Sequence, residues 1–144
     1  MIKKRIVIDT SVLVSAFVFG RKPEEAVRMA FATTEIYVSL KILSEYRETP
    51  RELKETGKIT PYQFELLVEG IATFVSRAKL VFPRKQLFIC ADKEDNMFLD
   101  CCLESNADFL ITGDKKILNI RNTDLPDELK NLKIVNPAQF LKLI

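Results

Sequence analysis

Five short apolar runs are spaced along the chain, separated by stretches patterned as helix. They are Ile6-Val7-Ile8, Ile36-Tyr37-Val38-Ser39, Ala78 to Phe82, Phe109-Leu110-Ile111-Thr112 and Lys133-Ile134-Val135. All five read as strands, and the β-branched run Ile6-Val7-Ile8 fits one buried on both faces. Strands that alternate with helices form parallel sheets, because a crossover between parallel neighbours needs a helix. The pattern therefore predicts an α/β fold: a central parallel sheet of about five strands with helices on both faces. No linker, repeat or low-complexity stretch interrupts the 144 residues, so one domain over 1–144 is expected.

The helix signals are local. Pro23 with Glu24 and Glu25 reads as a helix start, and that helix fades at Thr33-Thr34. Ser39 can begin the next one, which carries Glu45 about one and a half turns in. Pro50 should kink or restart it, and Gly57 should end its continuation. Thr60-Pro61 opens a helix with an apolar stripe of Phe64, Leu67, Val68, Ile71, Phe74 and Val75. That stripe reads as core. Asn136-Pro137-Ala138 opens a last helix that runs to Ile144.

An absence limits the chemistry: the chain has no histidine. That removes Ser-His-Asp and Cys-His nucleophilic catalysis in their usual forms, and His-liganded zinc and iron sites. Catalysis would fall to Asp, Glu, Lys, Ser, Thr or a hard metal held by oxygen. Cys90, Cys101 and Cys102 lack a C-x-x-C spacing and are odd in number, so they read as small core side chains. The net charge of +2 decides nothing about nucleic acid. No apolar run approaches the length of a membrane span and no signal peptide opens the chain, so a soluble cytoplasmic protein is expected.

Four acids fall at related places. Asp9 ends the first strand, and Glu45 sits early in the helix after the second. Asp95 opens the helix before the fourth strand, and Asp114 follows that strand by one glycine. In a parallel sheet all four can lie at the carboxyl edge, where ligands bind. Carboxylates gathered there repel one another unless a cation is present, and Mg²⁺ and Mn²⁺ take oxygen ligands. Each acid also has an ordinary reading. Asp9 reads equally as a helix cap, Glu45 as an exposed helix residue, Asp95 as a helix-start acid and Asp114 as a turn residue. Asp92 and Glu94 compete with Asp95, and Asp100 lies well around the helix from it. Only the joint placement has force.

Other α/β readings fit less well. A haloacid dehalogenase-type phosphatase needs a second Asp two residues after Asp9, where Ser11 stands. A receiver domain needs an Asp after its third strand, where Pro83 stands. No P-loop or dinucleotide glycine motif is present.

Several blocks together resemble the PIN-domain family, in its VapC-like branch of toxin components of toxin–antitoxin systems. They are Val7 to Ala16, Ser44-Glu45-Tyr46, Asp92 to Cys102, Ala107 to Lys115 and Ile134 to Leu141. The resemblance implies a three-layer α/β/α sandwich and a ribonuclease dependent on Mg²⁺ or Mn²⁺. It implies that Asp9, Glu45, Asp95 and Asp114 form the catalytic and metal-holding quartet, with Thr10, Ser11 and Thr112 as supporting hydroxyls. The partners it implies are RNA, an antitoxin protein and a second copy of the chain. Arg21, Lys22, Lys41, Arg47, Lys115 and Lys116 fall in segments expected near the same edge and could meet phosphate. The alternative is a weak or inactive module of the same fold that acts through protein or RNA binding.

Overall fold

The computed structural model describes residues 2–144. Its strands are β1 (Arg5–Ile8), β2 (Glu35–Val38), β3 (Lys79–Leu80), β4 (Phe109–Ile111) and β5 (Lys133–Val135). They form one all-parallel sheet in the order β3-β2-β1-β4-β5. β1 is central. Ile6 aligns with Ile36 on one side and with Phe109 on the other, and Ile8 aligns with Ile111. Ile6, Val7 and Ile8 are all fully buried. Successive strand residues point to opposite faces, so both faces of β1 are covered.

The covering elements are α1 (Thr10–Val14), α2 (Arg21–Thr33), α3 (Leu40–Glu55), α4 (Pro61–Val75), α5 (Asn96–Ser105), α6 (Lys115–Leu118) and α7 (Pro137–Leu143). α5 lies across β1, β2 and β4, while α2 packs on β2 and α7, and α7 on β5. The fold is the expected α/β/α sandwich. α1 passes directly into a π-helical turn, Ser15–Phe19, which no local sequence signal announced.

The caps hold as read. The Ser39 hydroxyl accepts from the Ile42 N–H, and Thr60 with Gln63 and Asn136 with Gln139 form reciprocal capping boxes. Each cap contributes about 1 kcal/mol to its helix end. Gly57 stops α3 with φ of 74°. Its N–H donates to the Lys54 carbonyl while the Lys58 N–H donates to that of Leu53. That pair of bonds closes the helix end, and the left-handed φ favours glycine there.

Two expectations need correction. α3 runs through Pro50 as one helix. Pro50 lies on the same buried face as Ile42 and Tyr46. Packing of that face keeps the helical path although Pro50 has no N–H to donate. β3 covers Lys79–Leu80 rather than Ala78 to Phe82. It is an exposed edge strand bonded on one side only, although the Val81 N–H still reaches the Val38 carbonyl at 2.9 Å.

The stripe of α4 is core at Leu67, Ile71 and Phe74, whereas Val68 is exposed. All three cysteines are free, and burial pushes the Cys90 and Cys101 thiols up to about 11 and about 12. Among the described residues no helix is long and apolar enough to cross a membrane.

Candidate active site

The strand order turns at β1. The chain steps from β1 to β2 on one side, and later places β4 on the other. Ligands of open parallel sheets bind outside the carboxyl ends of strands at such a switch point. Asp9 leaves the end of β1 there, and its N–H donates to the Ile111 carbonyl at the end of β4. Asp114 leaves β4 three residues after Ile111.

Asp9 is both a cap and a cleft residue. One carboxylate oxygen accepts from the Ser11 N–H at 3.3 Å, and the other accepts from the Thr112 hydroxyl at 2.7 Å. Only 6% of its surface is exposed. Burial raises its pKa, the Thr112 and Ser11 hydrogen bonds oppose that rise, and the Asp114 charge adds to it. Thr112 is fully buried and also accepts from the Asp114 N–H at 3.0 Å. One hydroxyl thus links the two acids that follow neighbouring strands.

Tyr46 fastens α3 to this edge. Its buried hydroxyl donates to the Ile8 carbonyl at 2.5 Å. The preceding residue, Glu45, is thereby set beside α1, where its carboxylate accepts from the Thr10 hydroxyl. Burial raises the Glu45 pKa, opposed by that hydrogen bond and helped by the charges of Asp9, Glu94 and Asp92.

Asp95 ends a short 3₁₀ turn, Lys93–Asp95, at the start of α5. It stands at the N-cap position of α5, as a helix-start acid would, but its side chain makes no capping hydrogen bond and is left free toward the cleft. Asp92 does the local capping instead, accepting from the Glu94 N–H at 3.1 Å. Burial, then the charges of Asp92, Asp114, Asp9 and Glu45, push the Asp95 carboxyl up to about 6.

The structure brings Asp9, Glu45, Asp95 and Asp114 to line one cleft of about 540 Å³, with Thr10 and Ser11. Among the described residues none of the four acids is in an ion pair. Asp100 lies outside this cleft and accepts from the Leu87 N–H at 2.7 Å. Two basic residues expected at the edge are engaged elsewhere, Lys22 with Glu25 and Arg47 with Glu48. None of the six lines the acid cleft.

Sequence reasoning missed Asn96. Its side-chain oxygen accepts from the N–H groups of both Ile89 and Cys90, tying an irregular connection to α5. No spacing rule marks such a role.

The chain matches the PIN domain family over residues 5–116. This chain belongs to the PIN-domain family. An uncharacterized protein of Methanocaldococcus jannaschii is 28% identical over 148 residues, covering 98% of this chain and 92% of the relative. The solved structure of VapBC2 from Rickettsia felis bound to a DNA fragment from their promoter contains a similar chain. Its TM-score is 0.59 at 16% identity, over 92% of this chain and 98% of that one, which is a likeness of fold.

Among the described residues no three acidic or cysteine side chains are gathered tightly enough to enclose a metal. Mg²⁺ does not require that, because it keeps several waters and binds through one or two carboxylates. The cleft offers oxygen donors only, and three of its four acids have pKa values raised by burial and by one another. Excess negative charge without a basic partner fits an oxygen-seeking cation.

Proposed function

We propose that this PIN domain is a cytoplasmic endoribonuclease dependent on Mg²⁺ or Mn²⁺, and the toxin of a toxin–antitoxin pair. One observation carries the reading: four acids with no basic partner line a single cleft at the switch point of a parallel sheet. PIN domains are generally nucleases, which supports phosphodiester hydrolysis as the reaction class.

Asp9, Glu45, Asp95 and Asp114 are the residues that would hold the ion, one or two of them directly and the others through its waters. A bound divalent ion lowers the pKa of a coordinated water and stabilises charge on a phosphoryl oxygen. The chain's own part is positioning. Thr112 and Ser11 fix both oxygens of Asp9, and Thr10 fixes Glu45. These hydrogen bonds favour the ionised carboxylates against the burial that opposes them. Hydrolysis of this class would form a bond from a water oxygen to phosphorus and break the P–O3′ bond, the 3′ oxygen taking up a proton, so the expected products carry a 5′ phosphate and a 3′ hydroxyl.

The Rickettsia felis neighbour is a VapBC2 assembly, and the likeness supports an antitoxin protein as partner. A homodimer is part of the same proposal. The competing reading, a fold kept for binding alone, expects Glu45 turned away from the cleft. Glu45 lines it.

The test is cleavage of a mixed RNA substrate by wild type and Asp9→Asn, with Mn²⁺, Mg²⁺ or EDTA. Metal-dependent cutting that is lost in the variant is expected. Wild type that cuts nothing with either ion would overturn the reading.

A further inference from the structure

A second groove, about 580 Å³, adjoins the acid cleft. Glu45 and Thr49 line both, so the two form a continuous path. Phe88 lines the second groove with 84% of its surface exposed. Singly exposed apolar side chains are ordinary on a protein surface; what sets this ring apart is its place in a groove that opens into the acid cleft.

This ring is held outward. On one side the Leu87 N–H donates to Asp100 at 2.7 Å. On the other the Ile89 and Cys90 N–H groups donate to the Asn96 side-chain oxygen at 3.0 and 2.8 Å. Leu87, Ile89 and Cys90 all pack against the core. The backbone is thus anchored before and after Phe88, and Phe88 alone of the four is exposed.

We propose that Phe88 is a base-stacking residue for single-stranded RNA. It holds an unpaired nucleotide adjoining the phosphodiester that lies in the acid cleft. This rests on the ribonuclease reading and names the substrate form that the same site takes. An aromatic face stacks any base, since every base has a π-face. Only an unpaired base can be splayed onto it. The charges of the groove agree with a base rather than a phosphate. Glu45, Glu48, Glu52, Glu94 and Asp100 line it and repel phosphate, yet carboxylate oxygens accept hydrogen bonds from base amino groups. Lys41 and Lys93 line the same groove and can meet the backbone at its rim.

The test uses a short single-stranded oligoribonucleotide carrying 2-aminopurine, bound in EDTA to wild type, F88A and F88W. Stacking quenches the 2-aminopurine. F88A should bind about 5- to 150-fold more weakly, the range for one stacked base, and lose the quench. F88W should restore both. Thermal melting should be unchanged in F88A, because the ring is exposed. Cleavage with Mn²⁺ should show the loss in KM, with kcat little altered.

If wild type binds and cuts, and F88A matches it in affinity and KM, stacking is overturned while the nuclease reading stands. If binding depends on Phe88 but wild type cuts nothing, stacking stands and the nuclease reading falls. If wild type neither binds nor cuts, both fall.

Discussion

The Thr112 hydroxyl donates to Asp9 across 103 residues of chain, at 2.7 Å and fully buried. It also accepts from the Asp114 N–H, so one side chain joins the ends of β1 and β4 at the acid cleft. Thr112→Val keeps the shape and removes both bonds. It leaves a buried carboxylate short of a donor, which costs about 2–3 kcal/mol at neutral pH. Urea denaturation measures this. Thr112→Ser should recover most of the loss, and an unchanged midpoint in the Val variant would contradict the assignment.

The acids also set a pH dependence for the metal-free protein. Folding raises the pKa values of Asp9, Glu45 and Asp95, the last from 3.8 to about 6. The folded state therefore binds more protons than the unfolded state in this window, and stability falls as pH rises. The groups shifted the other way, Glu35, Glu104 and Glu128, lie below the ordinary value of 4.5 and act in more acidic solution. In EDTA the melting temperature should drop between about pH 4.5 and 7. Asp95→Asn should flatten that slope and raise the melting temperature at pH 7. A melting temperature that climbs across this window would contradict the burial and crowding of these carboxylates.

Tyr46→Phe should loosen the join between α3 and β1. The lost hydroxyl donates at 2.5 Å to the Ile8 carbonyl, within the buried core. The cost should be about 1–2 kcal/mol, the value of a neutral buried bond plus its unpaired acceptor. Denaturant midpoints at constant slope would measure it. The same substitution should also reduce RNA cleavage, because Glu45 is placed through its neighbour.

Gly70→Ala tests a close approach. Alanine should strengthen a helix interior by about 1 kcal/mol. Here its Cβ would stand 2.4 Å from the Phe17 ring, with two further ring atoms at 2.5 and 2.7 Å. Overpacking of this kind costs about 1–3 kcal/mol, so a net loss of stability is expected. Phe17→Ala in the same chain should turn the Gly70→Ala change into a gain. A stabilised single variant would show that the ring moves aside freely.

The fold class was legible because its cause is local. Short apolar runs, serine, threonine and asparagine caps, and Pro61 and Pro137 at first helical positions each act within a few residues. The misreadings lie where long-range contacts decide. Pro50 stays inside α3 because its buried face outweighs a missing N–H. β3 shrinks because an edge strand is bonded on one side only. At the cleft, Asp9 and Asp114 were marked by their places after strands. Glu45 was not readable from spacing alone, because its position depends on the Tyr46 hydroxyl reaching Ile8. Asn96 and Asp100 serve backbone groups of an irregular connection, and such bonds leave no periodic trace.

Asp9, Glu45, Asp95 and Asp114 are proposed to make one cation site. Calorimetric titration of Mn²⁺ into wild type, Asp9→Asn, Asp95→Asn and Asp100→Asn tests it most directly. Wild type and Asp100→Asn should bind alike, since Asp100 faces Leu87 outside the cleft. Both cleft variants should bind at least about tenfold more weakly, the effect of about 1.4 kcal/mol. No binding by wild type, or equal binding by all four proteins, would contradict the account.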